Sequence, residues 1–162
     1  MSVDAISNPF GVYVHIPFCA SKCDYCAFAT WTDRDHLTEA YLDAVVTEIE
    51  RAVDTGLPLA TSIFVGGGTP SLVDPDRLMA VVAAIPTAGG AEVTVECNPD
   101  DVSDGLLRSY VEAGVNRISL GVQSMSSHVL GTLGRRHDRA NVERAVTSIR
   151  DAGIPTFNLD LI

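Results

Sequence analysis

Basic charge is what this sequence has least of. Eleven Lys and Arg stand against 21 Asp and Glu in 162 residues, a formal net charge of −10 with a pI near 4.6. Such a field repels phosphate backbones and anionic lipid, so neither nucleic acid nor a membrane surface is an expected partner. No apolar run is long enough to cross a bilayer, and the opening "MSVDAISNPFG" has no basic region leading into an apolar one. A cytoplasmic address is therefore expected. Low-complexity tracts are missing too, with Gly and β-branched residues spread throughout. Cysteine is scarce, four in all, and in a reducing compartment clustered thiols read as metal ligands or redox groups rather than disulfides.

What is present is hydrophobic pattern: 46% of the residues are apolar, enough for one domain with a substantial core. Short β-branched runs alternate with longer stretches of helical period. Strands are expected at 12–16, 62–66, 92–97, 117–123 and 156–162. Helices are expected near 35–54, from an Asp74 cap with Pro75 at the first position, from a Ser103 cap to Gly114, and from about 139 to Gly153, with a short turn near 126–132. Connections of this length imply parallel strands with right-handed crossovers. A faint repeat, "EAGVNRISL" and "DAGIPTFNLD", supports the same unit twice.

Parity separates a barrel from an open sheet. Val12, Val14 and Ile16 share one strand face with Tyr13 and His15 opposite. Val93, Val95 and Cys97 oppose Thr94 and Glu96; Ile118, Leu120 and Val122 oppose Ser119, Gly121 and Gln123; Phe157, Leu159 and Leu161 oppose Asn158 and Asp160. One face is apolar and the other small or polar, whereas a sheet covered on both sides should be apolar on both. The expected fold is α/β, an incomplete barrel whose site lies at the carboxyl ends of its strands. The sequence stops at Ile162 inside the fifth strand pattern, and five strands at barrel curvature do not close. Residues 11–162 are thus expected to be the N-terminal portion of a core domain, after an extension at 1–10. Alone, this piece is expected to aggregate or to bind a cluster poorly.

Cys19, Cys23 and Cys26 lie in "CASKCDYC", just after the first strand. Thiolates suit zinc or iron–sulfur clusters. Structural zinc usually takes four protein ligands, often as two separated pairs; here one compact triplet leaves a position open, and zinc stays the alternative. The CxxxCxxC spacing resembles the signature of the radical S-adenosylmethionine (SAM) superfamily. "YVHIPFCASKCDYCAF", followed in order by "FVGGGTPS", "ECNPDD", "RISLGVQS", "LGRRH" and "NLDLI", resembles the branch of oxygen-independent coproporphyrinogen III oxidases and their heme-chaperone relatives.

The resemblance implies a [4Fe–4S] cluster on the three cysteines, with SAM chelating the fourth iron through its amino and carboxylate groups. It further implies reductive cleavage of SAM to methionine and a 5′-deoxyadenosyl radical, chemistry that the cofactor carries while the protein orients and excludes water. Gly67, Gly68 and Thr69 would border the methionyl amino group. Glu96 would face a cationic part of SAM, and Gln123 and Asp160 would contact its ribose or amino groups. Arg135 would pair with its carboxylate, and Tyr13 and Tyr25 would line the cluster and adenine. The plain readings are a Gly-Pro turn at 66–70, an exposed loop arginine and core tyrosines. The "GGGTP" segment lacks the Lys-Ser/Thr of a triphosphate loop. Cys97 reads as a small buried hydrophobe by parity. His36 and His128 read as surface residues, and the acids Asp43, Glu48 and Glu50 as a solvated helix face; His15 and His137 receive no role.

Within the branch, oxidases read CxxxCxxCxC, and Phe28 occupies the position of that last cysteine here. This departure favours the chaperone type, which holds and transfers heme, over the oxidase, which decarboxylates coproporphyrinogen III. Expected partners are heme or a porphyrinogen, a reducing donor such as flavodoxin or ferredoxin, and a heme-accepting protein. Heme is the expected cargo; the resemblance names no heme ligand or catalytic residue in this stretch.

Overall fold

The computed structural model describes residues 9–162, so most of the expected 1–10 extension lies outside the described residues. Strands β1 (Gly11–Ile16), β2 (Ala60–Gly67), β3 (Thr87–Cys97), β4 (Arg117–Gln123) and β5 (Thr156–Leu161) form one sheet. Its spatial order is the sequence order, and every neighbouring pair is parallel. A doubly wound sheet reverses strand order at a switch point; this one does not, as a barrel wall requires.

Helices α1 (Thr38–Asp54), α2 (Pro75–Ala83), α3 (Asp104–Glu112), α4 (Ser127–Thr132) and α5 (Arg139–Asp151) fill the crossovers. Local chemistry fixes where they start. Asp74 accepts the Arg77 N–H and Ser103 accepts the Leu106 N–H, the side-chain caps expected from sequence. Asp138 and Asn141 exchange side-chain and backbone hydrogen bonds in a reciprocal capping box at the head of α5. The expected turn at 126–132 is instead the short helix α4. Its Ser and Gly content hides it, but buried Leu130 anchors it to the body of the protein. β3 begins at Thr87, five residues earlier than the 92–97 pattern, because Gly89 and Gly90 extend the strand where glycine ordinarily reads as a turn.

The parity holds in space. Val14, Ile16, Ile63, Val65, Val93, Val95, Cys97, Ile118, Leu120 and Val122 are all buried in a single core. Against them α2 sets Leu78, Val81 and Val82, α3 sets Leu106, Leu107 and Tyr110, and α5 sets Val142, Ala145 and Ile149. Each fully buried aliphatic side chain is worth roughly 1.5–3 kcal/mol relative to exposure. On β5 the partly buried Phe157 packs against the core, whereas Leu159 and Leu161 are exposed. The acidic face of α1 is exposed as expected, yet not idle, since Glu39 and Asp43 both pair with Arg77 of α2.

The β1–β2 pairing continues past the ends of both strands. The Gly68 N–H reaches Ile16 O at 2.7 Å and the Thr69 N–H reaches Phe18 O at 2.8 Å. A Cβ on Gly68 would lie 2.6 Å from Phe18 O, 2.8 Å from Ile16 O and 3.0 Å from the Cys19 sulfur. Two of these atoms are backbone and cannot step aside. Gly68→Ala in the full-length protein is therefore expected to lower unfolding free energy by about 1–3 kcal/mol, the usual cost of overpacking, read as a lower urea midpoint. An unchanged midpoint would refute the close approach.

Candidate functional site

All three clustered cysteines lie in the loop that leaves β1. Its neck is closed by backbone bonds, Cys19 N–H to Trp31 O at 3.1 Å and Trp31 N–H to Pro17 O at 2.8 Å, and a turn within it runs from the Cys26 N–H to Cys23 O at 3.1 Å. His15, on the polar face of β1, reaches Ala29 O through Nε2 at 2.9 Å. The side chain thus ties the far end of the loop to the strand that launches it, a contact that the pattern of alternating residues does not reveal.

The loop forms one wall of a cavity of about 480 Å³ at the carboxyl end of the sheet, within the range of small-molecule sites. Cys19, Cys23, Cys26, Tyr25, Gly67, Gly68, Thr69, Glu96, Gln123, Arg135 and Asp160 all line it. Tyr13 stands apart: it lies on the expected face but is exposed, stacked on Phe64 and 3.1 Å from His15 Nδ1. No three His, Cys, Asp or Glu among the described residues converge on a single-ion position.

Each polar group is held by a specific partner. Glu96 accepts the Gly67 N–H at 3.0 Å. Burial pushes its carboxyl above the usual range, opposed by that bond. Gly67 has φ +114°, and any side chain on it would overlap the His15 imidazole; only glycine serves there. Thr69 is buried and donates its hydroxyl to the Cys19 sulfur at 3.6 Å. Asp160 accepts from Ser119 Oγ and from Asn158 Nδ2, each at 2.7 Å, so its orientation is fixed from two strands. Burial also raises the Tyr25 phenol.

Gln123 has φ +62°, unusual for a residue with a side chain. The Ser124 N–H bonds back across it to Val122 O at 2.7 Å, a strained three-residue turn where the β4–β5 register also shifts. Strain of this kind persists only where surroundings enforce it, and it concentrates at functional sites. The enforcing neighbour is His137, buried, with Nε2 2.8 Å from the same Val122 O. A carbonyl only accepts, so the ring proton sits on Nε2, and burial pushes the imidazole toward its neutral form. Sequence reading left His137 without a role; its signal was a histidine two residues after the arginine of "GRRH".

Arg135 follows Gly134 at the end of α4. Its Nη2 donates to Asn98 Oδ1 at 2.6 Å and to Gly121 O at 2.8 Å, while Nη1 lies 3.7 Å from the Cys23 sulfur. With both Nη2 hydrogens taken, a two-point carboxylate grip requires one of these bonds to open, and Nη1 is the nitrogen turned to the cysteine wall. Cys97, the fourth cysteine, is buried among the core residues, and desolvation drives its thiol far upward. It is inert in that setting, as its parity indicated. His36 and His128 are exposed.

The site therefore combines a wall of soft thiols with a wall bearing one buried carboxylate, one oriented carboxylate, an amide and a guanidinium. Such a set suits a soft metal centre beside a small ligand carrying both an ammonium and a carboxylate. Heme chaperone HemW of Escherichia coli (strain K12) is 37% identical over 161 residues, which cover 95% of this chain and 42% of that protein. The oxygen-independent coproporphyrinogen III oxidase of Paracoccus denitrificans (strain Pd 1222) is 36% identical over 160 residues, covering 93% of this chain and 35% of that one. The solved coproporphyrinogen III oxidase HemN from Escherichia coli, described as a radical SAM enzyme, superposes with a TM-score of 0.83 at 29% identity, covering 94% of this chain and 37% of that chain. The chain thus spans about two fifths of the length of these relatives. The profile of the Radical SAM superfamily matches residues 13–162, which is nearly the whole chain, and this chain belongs to that superfamily.

Proposed function

We propose that this chain is the cluster- and SAM-binding core of a heme chaperone of the radical SAM type, acting in the cytoplasm on heme as cargo. The observation that carries the reading is the cavity itself, where Cys19, Cys23 and Cys26 face Glu96, Gln123, Arg135 and Asp160 across about 480 Å³. The three thiolates would hold a [4Fe–4S] cluster, whose fourth iron would take the amino and carboxylate groups of SAM. When bound and reduced by a donor such as flavodoxin or ferredoxin, the cluster supplies an electron for SAM cleavage.

The chain's own residues then have defined tasks. Glu96 compensates positive charge beside Gly67. Gln123 and Asp160 hold the ribose or amino end from two adjacent strands. Arg135 holds the carboxylate, and Gly67, Gly68 and Thr69 let the backbone come close to the amino end. Tyr25 covers the adenine side, and Tyr13 stands further down the strand as a second aromatic.

Phe28 favours a chaperone over an oxidase. It lines the cavity and is 65% exposed, where the oxidase pattern carries a further cysteine. The oxidase remains the second reading because a named oxidase is nearly as similar as the named chaperone. Full-length protein reconstituted anaerobically separates them. Heme retained through gel filtration, with coproporphyrinogen III returned intact, is the outcome expected here; accumulation of decarboxylated porphyrinogen assigns the oxidase instead.

Two variants test the site. Cys23→Ala is expected to abolish the broad charge-transfer absorbance near roughly 400 nm of thiolate-bound clusters, and undiminished absorbance would remove Cys23 from the ligand set. Glu96→Gln addresses the buried carboxylate. Because burial raises its folded pKa, Glu96 supports folding below the carboxylate range and loses that support as pH rises through the raised value. The glutamine variant is thus expected to be at least as stable as wild type at neutral pH yet to bind SAM more weakly. Lower stability at pH 7 with unchanged binding would contradict both parts.

A further inference from the structure

Asn98 takes no part in the reading above, yet it is the side chain in closest contact with the Arg135 guanidinium, 2.6 Å from Nη2. We infer that Asn98 is a positioning residue that sets the Arg135 guanidinium for the carboxylate of SAM, through a relay running from Asp101 and Ser71. This rests on the proposal that Arg135 meets that carboxylate.

The relay is continuous. Ser71, buried in the turn after β2, donates its hydroxyl to Asp101 Oδ2 at 2.7 Å and accepts the Asn98 backbone N–H at 3.1 Å. The Asp101 N–H in turn bonds Asn98 O at 3.1 Å. Asn98 is thereby pinned at the end of β3 from both its backbone groups, and Pro99 restricts its backbone further. Its amide orientation is fixed as well, since only Oδ1 can accept from a guanidinium.

Arg135 needs this help. It sits in the link between α4 and α5, just after Gly134 at φ +71°, and its long side chain has considerable rotamer entropy to lose. Asn98, one residue past β3, and Gly121 O of β4 occupy both Nη2 hydrogens, holding a loop residue against the sheet with Nη1 left for a single-point contact with the carboxylate. The choice of an amide matters. Asp101 bonds Ser71 through Oδ2 and acts on Arg135 only through space, so the acceptor in direct contact with the guanidinium is the neutral Asn98 amide.

The experiment uses full-length protein with its cluster reconstituted anaerobically, and titrates SAM and decarboxylated SAM, which lacks only the carboxylate. Variants are Asn98→Ala, Arg135→Ala and the double. Asn98→Ala is expected to weaken SAM roughly tenfold, the scale of a charge-assisted hydrogen bond, and to leave decarboxylated SAM unchanged. The double variant is expected to be no weaker than Arg135→Ala alone. Equal losses for both ligands, additive losses, or no loss on Asn98→Ala while Arg135→Ala weakens SAM each overturn the positioning role. If Arg135→Ala itself shows no preference between the two ligands, the carboxylate assignment has failed instead. Should Asn98→Ala not retain its cluster absorbance, Ser71→Ala removes the acceptor for the Asn98 N–H but leaves the amide. A loss of roughly two- to fivefold confined to SAM supports the relay, and no selective loss overturns it.

Discussion

Two backbones meet at Gly68 with no room for a methyl group between them, and the site depends on that contact. The ladder between β1 and β2 does not stop at the strand ends; it runs on through Gly68 and Thr69 to Phe18 O. The loop bearing Cys19 is therefore registered against the Gly-rich segment by main-chain hydrogen bonds, to which the Thr69 hydroxyl adds a side-chain contact with the Cys19 sulfur. Strand ladders are directional and spaced by fixed intervals. Once β1 and β2 pair in register, the positions of Cys19, Gly67 and Thr69 relative to one another follow without further adjustment.

The polar wall is built differently. Glu96, Gln123 and Asp160 come from three successive strands: Glu96 is held by the Gly67 amide and Asp160 by the Ser119 and Asn158 side chains, while at Gln123 it is the backbone that is constrained, by the turn closing on the Val122 carbonyl that His137 also meets. Buried polar networks are worth having only when every member is satisfied. Here the pairing orients both carboxylates, and the net acidity of the chain is drawn partly into structure, as with Glu39 and Asp43 on Arg77.

Much of this was readable in advance. Alternation in "EVTVEC" and "RISLGVQ" assigned the helix-facing and cavity-facing side chains, and the caps Asp74 and Ser103 fixed two helix starts, because both signals are local. The cysteine triplet marked the site because thiol crowding is rare. Less local features stayed hidden. Helix α4 is held by one buried leucine and not by propensity. The Asn98 contact spans 37 positions and the His137 contact 15; no periodicity encodes them. Tyr13 lies on the face that parity gives it and is exposed, with its phenol beside His15.

The neck of the cysteine loop, where Phe18 and Trp31 bridge in parallel, has an entropic implication. Chain entropy lost in gathering distant thiols rises with the length of the segment that must be closed. Here the neck is closed by main-chain bonds, leaving only a short tethered arc between Cys19 and Trp31. The separation that the three thiols can reach is thus limited by a noose of backbone hydrogen bonds, so the span of the arc, rather than the length of the chain, bounds the entropy that a ligand gathering them would have to remove.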